Sequence, residues 1–101
     1  MTLETHPGAQ IVAPYDGQVV FAGPFRDYGQ LLIIEHSEGY HMLLAGFERI
    51  DSAVSQTLLA GEPVGVMPAA GSPRLYFELR QGGRPINPLP WLATPIGKVS
   101  G

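Results

Sequence analysis

The segment Arg74-Leu75-Tyr76-Phe77-Glu78-Leu79-Arg80 alternates polar and apolar residues without interruption. Successive side chains of a strand point to opposite faces, so this period predicts a strand with Leu75, Phe77 and Leu79 in the core. Arg74, Tyr76, Glu78 and Arg80 then share the other face. A guanidinium donates hydrogen bonds at any biological pH but has no lone pair for a cation, and a phenol coordinates metal only as a phenolate, which is costly near neutrality. The row therefore suits the gripping of another polypeptide better than the holding of an ion. Tyr and Arg combine large contact area with directional hydrogen bonds and recur among the residues that dominate interfaces. The blander reading is a half-buried sheet tyrosine with Arg74 and Arg80 bracketing Glu78 as same-face ion pairs, worth little at a surface.

Other groups capable of chemistry are scattered. His6, His36 and His41 lack the spacing of a metal motif. Ser37, Ser52, Ser55 and Ser72 have no nucleophile-elbow glycines around them, and nothing linear pairs any two of Glu35, Glu38, Glu48, Asp51, Glu62 and Glu78 as a carboxylate dyad. The expectation is no catalytic residue, no metal and no cofactor.

The elements that must carry these groups are short strands. Period-two stretches run at Gln10 to Ala13, Gln18 to Ala22, Gln30 to Glu35, Tyr40 to Leu44, Pro63 to Val66 and Leu75 to Arg80. Asp16-Gly17 reads as a tight hairpin between the first two. Leu31-Leu32-Ile33-Ile34 is continuously apolar and predicts a strand buried on both sides at the centre of the core. Ser52 to Leu59 fits a helical rhythm and a strand edge equally. Asn87-Pro88-Leu89-Pro90-Trp91-Leu92 lacks ladder donors at its prolines and is expected to pack over the sheet as an irregular or 3₁₀ turn. The fold expected is all-β, with one domain over residues 1–94 and a loose tail over 95–101.

Composition bounds the function. A chain of 101 residues, 45% hydrophobic and 15% charged, suffices for one core. Thirteen Gly and ten Pro argue for frequent turns rather than helices. A net charge of −3 with six Lys and Arg offers no basic stripe for a phosphate backbone, so nucleic acid is not an expected partner. No apolar run approaches the ~20 residues that span a bilayer, so this segment is not expected to insert in a membrane. Met1 to Thr5 has neither the basic region nor the apolar stretch of a signal peptide.

Val12-Ala13-Pro14-Tyr15-Asp16-Gly17-Gln18-Val19, Asp27-Tyr28-Gly29 with Ile33-Ile34-Glu35-His36, Gly39-Tyr40, Ala60-Gly61-Glu62-Pro63-Val64-Gly65 and the 74–80 strand with its Pro/Trp ending occur in this order. In order and spacing they resemble LytM/lysostaphin-type zinc peptidase domains over most of the chain. The resemblance implies an antiparallel β-sandwich of the barrel-sandwich, duplicated hybrid motif kind. It also implies five positions for catalytic or zinc-binding groups, four of them on this chain, and these depart from the pattern. Arg74 and Tyr76 stand where the family has His-x-His, and Gly46 stands where it has the His of Tyr-Ala-His-Leu. The Asp of the His-x3-Asp pair falls near Thr2, with its His before Met1.

Degenerate domains of this kind resemble the murein hydrolase activators, the EnvC-like group. There a vestigial groove draws an autoinhibitory helix away from the zinc site of a separate peptidoglycan amidase. The resemblance implies a partner-binding groove lined by Tyr28, Tyr76 and Arg80, to which the shared face of the strand adds Arg74 and Glu78, and a periplasmic location as part of a longer exported protein. Two alternatives stand beside it: a zinc metallopeptidase acting on peptidoglycan cross-links, with ligands supplied upstream, and a module binding peptidoglycan directly. A biotinyl or lipoyl carrier domain shares the Ala-Pro hairpin but needs a lysine at a hairpin tip, and Lys98, the only lysine, lies in the tail.

Overall fold

Alternating and apolar-run segments assemble here into two antiparallel sheets. The computed structural model describes residues 1–88. The strands are β1 (Thr2–Glu4), β2 (Gln10–Val12), β3 (Gly17–Phe25), β4 (Gly29–Glu35), β5 (Tyr40–Ala45), β6 (Arg49–Ile50), β7 (Thr57–Leu58), β8 (Pro63–Val66), β9 (Arg74–Gln81) and β10 (Arg84–Ile86). A single 3₁₀ turn, Ser37–Gly39, links β4 to β5. The larger sheet has the order β1-β9-β5-β4-β3-β7, with β10 also paired to β9, and the smaller is β2-β8-β6. All pairs are antiparallel. This is the all-β sandwich expected from the sequence. The expected turn over residues 89–92 and the domain boundary at 94/95 lie outside the described residues.

The core sits between the sheets. Leu32 and Ile34 of β4, Met42 and Leu44 of β5, and Leu75, Phe77 and Leu79 of β9 meet Ile11 of β2 and Val64 of β8, each 1% exposed or less. Strand β9 is buried at Leu75, Phe77 and Leu79 and half-buried or exposed at its even positions and at its last residue, Gln81, as its alternation dictates up to that end. Strand β4 differs from the expectation in one respect. Leu32 and Ile34 face the core, but Ile33 on the opposite face is only half-buried, because that face lines an open groove rather than a second core layer.

Two features of β3 were not legible as read. Asp16-Gly17 closes no hairpin, since β2 pairs with β8 while β3 pairs with β4 and β7. Here the chain crosses from one sheet to the other. The Asp16 carboxylate accepts from the Ala60 amide at 2.8 Å, and its backbone carbonyl accepts from His36 Nδ1 at 2.7 Å. Gly17 is required by close approach: a Cβ there would lie 2.6 Å from the Glu35 carbonyl oxygen and 2.7 Å from Ile34 Cγ2. The second feature is a bulge between Val19 and Phe21. One extra residue reverses which parity faces inward, so Val19 enters the core while Phe21 and Phe25 turn to the opposite face.

His36 acts structurally. It is 8% exposed, and since a carbonyl can only accept, its Nδ1 carries the proton that ties β4 to the Asp16 crossing. Tyr15 packs edge-on against it with ring centroids 6.0 Å apart. Burial opposes the imidazolium and lowers its pKa below 6.5, although the Asp16 carbonyl works in the other direction.

Gly17→Ala is expected to destabilise the domain by about 1–3 kcal/mol through overpacking, read as a lower urea midpoint at unchanged slope. His36 gives a pH dependence of definite sign. Its folded pKa is depressed, so the unfolded chain binds the proton first, and stability falls as pH drops below ~6.5. Urea titrations from pH 7.5 to 5 should show that decline, and His36→Gln should flatten it.

Candidate functional site

The face of the larger sheet opposite the core is a set of cross-strand rows dictated by register. Leu31, Ala45 and Tyr76 align across β4, β5 and β9; Ile33, Leu43 and Glu78 form the next row; Glu35, His41 and Arg80 form the third. Apolar side chains thus floor a groove of about 360 Å³ whose lining includes Phe25, Tyr28, Leu31, Ile33, Leu43, His41 and Arg80. Polar groups gather on its β9 side.

Tyr28 enters from the turn joining β3 to β4. Asp27 (φ 73°) and Gly29 (φ 73°) flank it in left-handed backbone, and its amide bonds back to the Phe25 carbonyl at 3.0 Å. That turn directs the ring across the sheet to Tyr76, centroid to centroid 5.6 Å, and against Phe25 at 6.0 Å; Phe25 in turn meets Phe21 edge-on at 5.6 Å. Four aromatic rings therefore run in contact along one rim. Phe25 is 48% exposed, so this rim offers apolar surface to solvent.

Strand β9 supplies a hydrogen-bonded chain. The Tyr76 hydroxyl donates to Glu78 Oε1 at 2.6 Å, and Arg80 Nε donates to Glu78 Oε2. Donation to a carboxylate favours the neutral phenol, and with burial it pushes the Tyr76 pKa up to about 12. Burial works to raise the pKa of Glu78, but the bonds from Tyr76 and Arg80 together outweigh it and hold the carboxyl below its ordinary value. Arg80 is stabilised as the cation by the same carboxylate. Glu78 is the most enclosed member of its ion pair, with its side chain 13% exposed against 40% for Arg80.

The structure thus brings Tyr28, Tyr76, Glu78 and Arg80 together. Arg74 lies on the same face but turns to Glu4 of β1 at 3.8 Å, with both side chains largely exposed, so it does not bracket Glu78. Phe21, Phe25, Leu31, Ile33 and Leu43 were not singled out from the sequence. The apolar run of β4 carried a signal for the floor, since only half of it faces the core, but the two phenylalanines are re-aimed by a bulge that no residue type announces. His41, set aside for want of a motif, lines the groove and pairs with Glu35 at 3.7 Å.

The four positions at which the family resemblance places catalytic or metal-binding groups converge at one end of β9. Thr2 and Ala45 are the register partners of Tyr76 on its two sides, and Gly46 follows Ala45, so close to β9 that a Cβ would lie 2.5 Å from the Arg74 carbonyl oxygen. The donor set there does not fit zinc. It consists of a guanidinium, a phenol held neutral by Glu78, a threonine and a glycine, with no imidazole among them. Among the described residues, no group of three or more His, Cys, Asp and Glu could hold a metal ion.

Comparison with known proteins identifies the family. The model of "Peptidase family M23" matches residues 1–88. The chain is 32% identical over 95 residues to the murein hydrolase activator EnvC of Escherichia coli (strain K12), covering 91% of this chain and 23% of that protein. It is 40% identical over 88 residues to the murein hydrolase activator NlpD of Salmonella dublin, covering 84% of this chain and 23% of that protein. The chain thus spans about a quarter of the length of these relatives. Among solved structures, the catalytic domain of the antimicrobial peptidase lysostaphin from Staphylococcus simulans superposes with a TM-score of 0.81, covering 92% of this chain and 77% of that one; at 18% identity this likeness concerns the fold.

Writing imidazoles back into the three vacated positions should not recreate a metal site. Gly46 has φ 107°, a backbone that side chains other than hydrogen rarely adopt. A Gly46→His/Arg74→His/Tyr76→His variant is expected to retain no stoichiometric zinc after dialysis, by elemental analysis, and to be less stable in urea than the original chain. One tightly held zinc per chain would contradict the fit argued above.

Proposed function

This chain belongs to peptidase family M23, and we propose that it is a non-catalytic member which binds and activates a periplasmic N-acetylmuramoyl-L-alanine amidase during septal cell-wall cleavage. The observation that carries this reading is the replacement at β9. Where the family's hydrolysis needs several ligands holding a cation with one open position, this chain carries Arg74, Tyr76 and Gly46, and a Tyr76–Glu78–Arg80 chain borders an apolar groove. Relatives named as murein hydrolase activators support a regulatory role.

The groove suits an amphipathic helix. Ile33 and Leu43, with the buried Leu31 beneath them, would take its apolar stripe, and Tyr28 and Arg80, with Tyr76 packed beside Tyr28, would meet the polar margin. Activation follows if the groove prefers the amidase with its inhibitory helix displaced, because a partner shifts an equilibrium only by its differential affinity for the two states. Any catalytic zinc in this scheme belongs to the amidase. The substrate places the reaction in the periplasm; no helix among the described residues is long and apolar enough to cross a membrane.

The test mixes the domain with purified candidate amidases and follows dye release from labelled peptidoglycan. The domain alone is expected to release nothing, and the mixture to release dye faster than amidase alone. Tyr76→Ala and Arg80→Ala, each shown to be folded, should raise the concentration needed for half-maximal stimulation by roughly tenfold or more, as truncation of an interface anchor does. Chelator-sensitive release by the domain alone would refute the non-catalytic assignment. Full stimulation by both variants would refute the groove.

A further inference from the structure

Glu78 stands apart from its neighbours on the outer face of β9, of which Arg80 reaches into the groove. Tyr76 and Arg80 carry large surfaces suited to contact, whereas the Glu78 side chain is 13% exposed and both of its carboxylate oxygens are already engaged, one by the Tyr76 hydroxyl and one by Arg80 Nε. A partner segment therefore has little of Glu78 left to touch. What the carboxylate does instead is fix two flexible groups. A tyrosine hydroxyl rotates freely until it finds an acceptor, and an arginine side chain carries rotamer entropy that is otherwise lost on binding.

The mode of attachment matters for Arg80. A guanidinium has five N–H donors, and engagement through Nε leaves the two terminal amino groups available to another acceptor. Arg80 also lines the groove, opposite His41 in register. With Leu43 as the cross-strand neighbour of Glu78, the carboxylate is seated over the apolar floor, where screening by water is reduced and a charge-assisted bond is stronger than at an open surface.

We infer that Glu78 is a positioning residue: it does not contact the partner but pre-orders Arg80 and Tyr76, so that the groove presents guanidinium donors to an acceptor-bearing end of the bound segment, a carboxylate or the last carbonyls of a helix. The inference rests on the groove being the partner site, as proposed above, and it adds which residue there works through others. It also assigns specificity. A segment whose polar margin offers a carboxylate or free carbonyls to the terminal amino groups of Arg80 is favoured at that end over one that brings only donors there.

The test has two arms on the full chain. In the first, without any amidase, the Arg80 Nε–H resonance is followed by ¹⁵N NMR at neutral pH. It is expected to be visible and protected from solvent exchange in the wild type and to broaden or vanish in Glu78→Gln. In the second, half-maximal stimulation of the amidase is measured for Glu78→Gln, Arg80→Ala and the double variant. Glu78→Gln is expected to weaken stimulation several-fold at unchanged maximal rate, and to weaken it by a clearly smaller factor once Arg80 is already alanine, when only Tyr76 is left for Glu78 to hold. An Arg80 Nε–H that exchanges freely in the wild type overturns the inference whatever the amidase does, and so do strictly additive effects in the cycle. If the wild type stimulates no amidase, the proposed function falls, while the first arm still decides whether Glu78 holds Arg80.

Discussion

The groove is referred to strand β9, because that strand is paired along both edges while presenting an apolar chemistry on one face and a polar one on the other. β5 covers one edge, and β1 and β10 divide the other between them. The inner face of Leu75, Phe77 and Leu79 is wholly enclosed, and removal of a buried aromatic such as Phe77 belongs to the class of changes that cost a domain about 3–5 kcal/mol. The outer face inherits that rigidity. Tyr76, Glu78 and Arg80 project from a backbone that cannot shift without opening the core, so hydrogen bonds among them are made from fixed origins. A binding surface on a strand of this kind is more accurately placed than one on a loop.

Legibility in the sequence follows the same division. The 74–80 alternation is a local property, and both faces of β9 could be read from it before any other strand was placed. The row of groups on its outer face and the absence of a metal motif followed from residue chemistry alone. What was not legible depends on pairing. Asp16-Gly17 carries the composition of a hairpin, yet its glycine answers to the Glu35 carbonyl of a strand some twenty residues away. The Val19/Phe21 bulge has no residue signature and still decides that Phe21 and Phe25 join the groove. Arg74 read as a partner of Glu78, but β1 brings Glu4 beside it.

The groove floor shows how a continuous apolar run serves two purposes. Leu32 and Ile34 are consumed by the core, whereas Leu31 and Ile33 on the reverse face, with Leu43 of β5, cover a recess that opens outward. Parallel-sheet strands need such runs because both faces are covered. In an antiparallel sheet the second apolar face is surplus to folding, and here the aromatic chain from Phe21 to Tyr76 only partly shields it. Exposed apolar surface that the fold does not require is the part of a domain where association is expected.

A zinc site and a protein-binding groove make opposite electrostatic demands, and this governs how one scaffold can pass from one to the other. A divalent cation requires neutral or anionic donors with lone pairs and disfavours any neighbouring guanidinium. Without the cation, a carboxylate close to its place, such as Glu78, would lie half-enclosed and uncompensated, which is costly. Arg80 and the Tyr76 hydroxyl supply that compensation. Tyr76 and Gly46 also oppose a metal there, since an ion near Tyr76 would have to displace a phenolic proton whose pKa is pushed up to about 12, and Gly46 has no room for a side chain against the Arg74 carbonyl. On the proposed reading, the fold persists while the chemistry at its centre changes sign, from lone pairs that hold an ion to donors that hold an acceptor.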